Sequence, residues 1–229
     1  HHTAQVLAVG RELYLIDCGE ATQARLMERH IRFGRINRIF ISHLHGDHFF
    51  GLFGLLGTFQ LQGRTEPLQI FGPAGLDEIL TTQLRCSGMS LAYDIDFQLV
   101  DTEQHQLIFS DAQVEVYTLP MRHRVPCCGY LFRELPRRPR LVRESLPPGL
   151  TPEQLQALSR GEDLRDEHGH PWLRHADVTK APPAPRTYAY CSDTIYLESL
   201  VEFCREHDIL LLLAQGMSNE EIAAALVVE

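Results

Sequence analysis

Three histidines and an aspartate fall within six residues, as His43, His45, Asp47 and His48 in the run Ser42-His43-Leu44-His45-Gly46-Asp47-His48. Imidazole nitrogens and carboxylate oxygens both suit Zn²⁺, at about 2.0–2.2 Å. The run follows the apolar segment Arg38-Ile39-Phe40-Ile41, so it reads as the end of a β-strand. On an extended chain alternate residues point to one side, which gives His43 and His45 a common aim. Gly46 then lets the chain turn, so Asp47 and His48 can face a second position. One short loop could in this way serve two metals, about 3.5–4 Å apart as in two-metal hydrolases. The plain alternative is a solvated His-rich loop. The spacing His-x-His-x-Asp-His at a strand end argues against it.

The elements that must hold this loop follow from the hydrophobic pattern. Residues 3–9 and 12–17 are apolar runs separated by Gly10-Arg11, the pattern of a β-hairpin. Residues 21–30 are helical in pattern, 36–42 form the strand that feeds the loop, and 47–61 read as one helix with Gly51, Gly54 and Gly57 spaced for close packing. A strand at 68–71, a helix at 76–85 and short strands at 96–100, 106–109, 114–119 and 129–132 come next. After residue 186 a strand at 187–191, a helix at 195–205, a strand at 209–213 and a helix at 219–226 are expected. A strand meander followed by alternating strands and helices suggests a sheet-based sandwich with helices outside. No internal repeat is visible.

Residues 133–186 differ from the rest. They hold nine of the 13 prolines, and Arg133, Arg137, Arg138, Arg140 and Arg143 cluster at their start. A long irregular insert in a compact domain is usually functional or disordered. His168, His170 and His175 lie in a polar Gly/Pro segment and read as a surface hairpin, not a second metal site.

The chain has 229 residues, room for one substantial α/β domain, and a net charge of −9. That acidity argues against a general nucleic-acid coating protein but leaves room for a local basic patch. The longest apolar stretch, 49–59, is shorter than the roughly 20 residues that span a bilayer, and no signal peptide is visible. Cys18, Cys86, Cys127, Cys128, Cys191 and Cys204 form no C-x-x-C pair and read as free thiols in a reducing cytosol.

At this point the chain resembles a known family. The His-x-His-x-Asp-His box is the signature of the metallo-β-lactamase superfamily. Further segments are similar to ribonuclease Z, its tRNA 3′-end processing endonuclease: residues 15–23 (Leu-Ile-Asp-Cys-Gly-Glu-Ala-Thr-Gln), 39–48, 70–73 (Ile-Phe-Gly-Pro), 120–126 (Pro-Met-Arg-His-Arg-Val-Pro) and 190–194 (Tyr-Cys-Ser-Asp-Thr). The resemblance implies an α/β fold of the metallo-β-lactamase type, an αββα sandwich incomplete at both ends, formed by residues 1–229 as a single domain with an arm-like insertion at about 133–186. It implies two zinc ions per chain, one on His43, His45 and His123, the other on Asp47 and His48, with Asp193 bridging them. Taken alone, His123 reads equally well as a satisfied histidine and Asp193 as the N-cap of the helix after it. Asp47 is the implied proton acceptor. A metal lowers the pKa of a water it binds from 15.7 to about 7, which supplies a nucleophile for a phosphodiester. The implied substrate is precursor tRNA, gripped in part by the arm through Arg137, Arg138, Arg140 and Arg143. Phosphate backbones are held largely by Arg and Lys, without sequence reading. A homodimer, a cytoplasmic location and no membrane association are implied too.

The chain departs from the family pattern near its end. Where the family carries a strand ending in His-Glu-Ala, Leu212-Leu213-Ala214 stands, and leucine neither transfers a proton nor ligates. The later histidine motifs, and the family's first strand before residue 1, are not in this sequence. The expectation is therefore a family core shortened at both ends and much less active than an intact relative. Residues 212–223 are also similar to the first half of a LuxR-type helix-turn-helix. They read better as an ordinary terminal helix capped by Ser218, with Glu221 completing a capping box. Two other functions remain: a metallo-hydrolase of small esters or phosphodiesters, and a catalytically impaired protein that binds RNA or metal.

Overall fold

The computed structural model describes residues 2–206 and 210–212. The chain begins with the hairpin of β1 (Gln5–Val9) and β2 (Glu12–Ile16), then α1 (Thr22–Glu28), β3 (Ile36–Phe40), α2 (Gly46–Phe49), α3 (Leu52–Leu61), β4 (Leu68–Gly72), α4 (Leu76–Ser87) and β5 (Ile95–Leu99). β6 (Leu107–Ser110), β7 (Val114–Pro120) and β8 (Cys128–Glu134) follow. After them come β9 (Arg140–Leu141), α5 (Pro152–Ser159), β10 (Leu164–Arg165), β11 (Pro171–Leu173), α6 (His175–Val178) and β12 (Thr179–Lys180). The last described elements are β13 (Thr187–Tyr190), α7 (Glu198–Glu206) and β14 (Leu210–Leu212). The helix expected at 219–226 lies outside the described residues.

The chain divides into two compact units, residues 134–186 and the remainder. The larger unit has two five-stranded sheets, ordered β1-β2-β3-β4-β5 and β14-β13-β8-β7-β6. β1 pairs antiparallel with β2, and β2 through β5 run parallel. Helices connect the parallel strands, as such crossovers require.

The period-two alternation of each strand builds the layers. On β2, Leu13 and Leu15 join the helix-side core with Ile39 and Ile41, against Leu26, Leu52, Leu55, Leu56, Phe59 and Leu80. The intervening Tyr14 and Ile16 face the other way, into a core between the sheets with Phe40, Phe71, Val116, Tyr130, Phe132 and Tyr190. On the second sheet, Leu119, Leu131, Ala189 and Cys191 form a third core with Cys204 of α7. Helix, sheet, sheet and helix are thus stacked, the αββα sandwich of the expected fold class. Phe40 stacks on Phe71 at 4.6 Å and meets Phe132 edge-on at 5.2 Å, so aromatic rings fill the space between the sheets.

The expected helix at 47–61 is two helices. The amide of Gly51 donates to Cys18 O at 2.9 Å, which breaks the helical ladder between α2 and α3. A Cβ at Gly51 would sit 2.0 Å from Gly19 O. Only glycine permits that approach, and it brings the metal-loop helix down on the end of β2. The insert is not the irregular segment its prolines suggest. It has a small core of its own, with Leu158, Leu164 and Val178 buried. α5 begins with a capping box between Thr151 and Gln154. Its two ends are clasped: Glu134 N donates to Arg186 O at 2.9 Å, and Arg186 Nη2 donates to Glu134 Oε1 at 2.9 Å. His168 and His170 lie in the turn between β10 and β11, and His175 Nδ1 bonds Asp163 at 2.9 Å.

Among the described residues no helix is long and apolar enough to cross a membrane. All six cysteines are free, and all but Cys86 are buried.

Candidate metal centre

Four strand ends converge on one edge of the sandwich: β2 delivers Asp17, β3 the loop 42–48, β7 His123 and β13 Ser192 and Asp193. The loop is held by its backbone. Thr3 N donates to Asp47 O at 2.8 Å and Cys18 N to His48 O at 2.6 Å. A Cβ on Gly19 would lie 2.2 Å from Asp47 O, so glycine is needed for the loop to close.

Every residue expected to bind metal reaches this edge. His45 Nδ1 lies 3.1 Å from both His43 Nε2 and His123 Nε2. Asp193 Oδ2 lies 3.9 Å from His43 Nε2 and 3.9 Å from His123 Nε2. These four residues offer donor atoms all within 4.8 Å of one another. The other oxygen of Asp193, Oδ1, faces His48 Nε2 at 3.6 Å, and Asp47 Oδ2 lies 3.8 Å from the same nitrogen. Asp47 and His48 lie beside this four-residue group but are not members of it.

The donor set fits a divalent metal on two further grounds. His48 Nε2 and Asp193 Oδ1 are buried and have no hydrogen-bond partner among the described residues. Orphaned polar atoms of this kind are rare in folded proteins. Burial, with the charges of His48, His45 and His123, also pushes His43 down to about 3, so the ring stays neutral and free to ligate. Burial alone would lower His48 as well. The hydrogen bond and charge of Asp17, with Asp193 and Asp47, reverse this and raise it.

Sequence reading assigned no role to Asp17, yet Asp17 organises the cluster. It is fully buried with a left-handed φ of 56°, uncommon for a residue other than glycine. Its carboxylate accepts from Ser42 N at 2.8 Å, Ser42 Oγ at 2.9 Å, Tyr190 OH at 2.5 Å and His48 Nδ1 at 2.7 Å. Ser42 Oγ gives its proton to Asp17 and accepts from Ser192 Oγ at 2.7 Å, so at 3.1 Å it accepts from His43 Nδ1. One carboxylate thus sets both tautomers, directly for His48 and through Ser42 for His43. Both rings turn a bare Nε2 toward Asp193. The available signal was an acid inside an apolar run, Leu15-Ile16-Asp17-Cys18.

The arginines of the insert divide. Arg137 donates to Glu134 at 3.1 Å, and Arg133 pairs with Glu115 in the larger unit. Arg138, Arg140 and Arg143 are exposed and form no ion pair among the described residues. Leu212 lies on β14, paired in parallel register with Tyr190. Leu213 and Ala214 lie outside the described residues.

Known proteins are similar to this chain in sequence and in fold. A family model described as Anti-Pycsar protein Apyc1 matches residues 1–132. Ribonuclease Z of Bacteroides thetaiotaomicron is 41% identical over 97% of this chain and 70% of its own length, and that of Bacteroides fragilis is 41% identical over 91% and 68%. The crystal structure of human tRNase Z, short form, superposes with a TM-score of 0.57 at 26% identity, covering 89% of this chain and 67% of that one. The metallo-β-lactamase fold protein YhfI from Bacillus subtilis, 16% identical with a TM-score of 0.51, shares the fold over 88% of this chain and 58% of that one. The chain belongs to the ribonuclease Z family and, through residues 1–132, to the family described as Anti-Pycsar protein Apyc1.

Proposed function

We propose that this chain is a zinc-dependent endoribonuclease that cleaves precursor tRNA to leave the mature 3′ end. The observation that carries the reading is Asp193, with one oxygen toward His43 and His123 and the other toward His48. His43, His45, His123 and Asp193 would hold one zinc, and Asp47, His48 and Asp193 a second. These ligand types suit zinc. Bound zinc supplies Lewis acidity for the charge that builds on a phosphodiester.

The chain's own groups do the rest. Asp193 shares one negative charge between the two ligand sets. Asp17 and Ser42 fix the imidazole tautomers, and such outer partners are worth 10–100-fold in metal affinity. Asp47, whose side chain is 40% exposed, opens to solvent and would take the proton of the attacking water. In the second unit Arg138, Arg140 and Arg143 hold tRNA phosphates. The reading includes a cytoplasmic location and a homodimer, the latter tested by light scattering.

The test is incubation of precursor tRNA with zinc-loaded chain, followed by mapping of the new 3′ ends. One cut at the mature end, abolished by a chelator, is expected. No cut, or cuts throughout any single strand, would overturn the reading.

A second reading is a hydrolase of small phosphodiesters. It is favoured by the family match over residues 1–132, which lies wholly inside the larger unit and leaves out the arginine-bearing one. Turnover of bis(p-nitrophenyl) phosphate with no action on precursor tRNA would select it.

A further inference from the structure

Beside the metal centre the larger unit has an open cleft of about 800 Å³, whose lining includes Thr102, Glu103, Arg122, His123, Arg124 and Ile195. His123 belongs to both, so the cleft runs up to the candidate metal ligands. Arg122 and Arg124 flank it on a loop that backbone hydrogen bonds fix. Met121 N donates to Cys127 O at 3.3 Å, Arg122 N to Thr194 Oγ1 at 3.1 Å and Ile195 N to Arg122 O at 3.0 Å. The last two tie the arginine loop to the segment that carries Asp193.

Both guanidinium groups are exposed, and neither forms an ion pair among the described residues. This is unlike Arg25, Arg133, Arg137, Arg160 and Arg186, each of which has a carboxylate within 3.1 Å. In a chain of net charge −9, two unpaired arginines either side of a metal-facing histidine mark a local anion site. Guanidinium matches phosphate oxygens with paired donors. Ile195 adds an apolar surface, 61% exposed, at the same cleft. Phosphate-matched cations beside an apolar face suit a strand whose bases are unstacked, since a duplex offers no free base face.

We propose that this cleft binds the single-stranded RNA next to the cut, with Arg122 and Arg124 on backbone phosphates and Ile195 against a base. The proposal rests on the nuclease reading above and adds a binding surface separate from the arginines of the second unit. Glu103, the one acid of the lining, opposes it and limits affinity.

The experiment is fluorescence anisotropy of the whole, chelator-treated chain with a labelled single-stranded oligouridylate of eight nucleotides, over a range of NaCl. The double variant Arg122→Gln/Arg124→Gln should bind at least tenfold more weakly at low salt. Its slope of log affinity against log salt should be flatter by about 1.4, 0.7 for each of two phosphates on a single strand. Lysine at both positions should keep the slope, and Glu103→Gln should tighten binding two- to threefold. All these positions are exposed, so melting temperatures should match the wild type. An unchanged slope in the glutamine variant, no binding by the wild type, or equal binding of a duplex of the same charge would each overturn the proposal. Precursor-tRNA cleavage by the zinc-loaded wild type is scored separately. Its absence beside an intact slope difference removes the processing function and leaves the cleft assignment standing.

Discussion

His48 Nδ1 lies 2.7 Å from Asp17 Oδ2, and both side chains are buried. This carboxylate accepts from four donors, and it holds the imidazole by the nitrogen that does not face the metal edge. Asp17→Asn is the informative change, because asparagine tolerates a left-handed φ and keeps the shape. Its amide no longer accepts on both atoms, so at least one of His48, Ser42 and Tyr190 loses its acceptor. Zinc affinity should fall about 10–100-fold, read by competition with a chromophoric chelator. Stability should fall by about 1–3 kcal/mol, the cost of an unsatisfied buried group. Unchanged zinc affinity would remove Asp17 from the site.

The two ligand sets should differ in strength. His43, His45, His123 and Asp193 bring four donor atoms within 4.8 Å of one another, a group that does not include Asp47 and His48. His45→Ala should therefore release the tighter zinc and His48→Ala the weaker one. Elemental analysis over a dilution series separates the two, and equal losses would mean a single shared site.

How much of this was legible from sequence follows from what each residue answers to. The His-rich loop is a local pattern, so His43, His45, Asp47 and His48 stand out as candidate ligands from spacing alone. The layers were foretold by the order of elements, a strand meander and then alternating strands and helices, whereas the division of Leu13/Leu15 and Tyr14/Ile16 between two cores shows only in the structure. Asp17 could not be read in this way, since its partners Ser42, His48 and Tyr190 are 25, 31 and 173 residues away. The break between α2 and α3 was hidden for the same reason. The atom that takes the Gly51 amide belongs to Cys18, and a helical pattern does not show such a competitor. In the insert, prolines suggested irregularity, but α5 uses Pro152 in its first turn, where its missing N–H costs nothing.

The clasp of the second unit should respond to acid. The hydrogen bonds from Arg186, then the charges of Arg186 and Arg137, hold Glu134 below its usual 4.5. A carboxyl depressed on folding stabilises above its unfolded pKa, and that contribution is lost as pH falls through the folded value. The stability that this pair adds should be complete above about pH 5 and should be lost progressively at lower pH, as it falls through the depressed folded value. Arg186 is largely exposed, so solvent screening keeps the effect small. In denaturant melts Glu134→Gln should remove that part of the pH slope, and a variant with the full wild-type slope would show that Glu134 contributes nothing.

Arg138, Arg140 and Arg143 should act on tRNA and not on chemistry. Reversing all three to glutamate should weaken precursor-tRNA binding and flatten its salt dependence, by about 0.9 for each duplex phosphate no longer neutralised. Hydrolysis of bis(p-nitrophenyl) phosphate is the control for the metal centre. Equal losses with both substrates would mean that these arginines support the fold of the second unit.

The rate of cleavage should be limited by the leaving oxygen. Leu212 stands where the resemblance to ribonuclease Z implies a histidine, and its strand runs beside Tyr190, two residues before the Ser192–Asp193 pair. A hydrocarbon there gives no proton, and loss of a general acid costs about 10²–10⁴ in rate. Single-turnover cleavage of precursor tRNA at saturating zinc should be slower by that order than for the Bacteroides thetaiotaomicron ribonuclease Z. Leu212→His alone should recover less than tenfold. An imidazole needs a carboxylate or carbonyl to fix its tautomer, and Leu213 follows where the pattern has glutamate. The pair Leu212→His/Leu213→Glu should recover more than the single change. If the wild-type chain matches the relative in single turnover, another group supplies the proton, and the loss assigned to Leu212 is wrong.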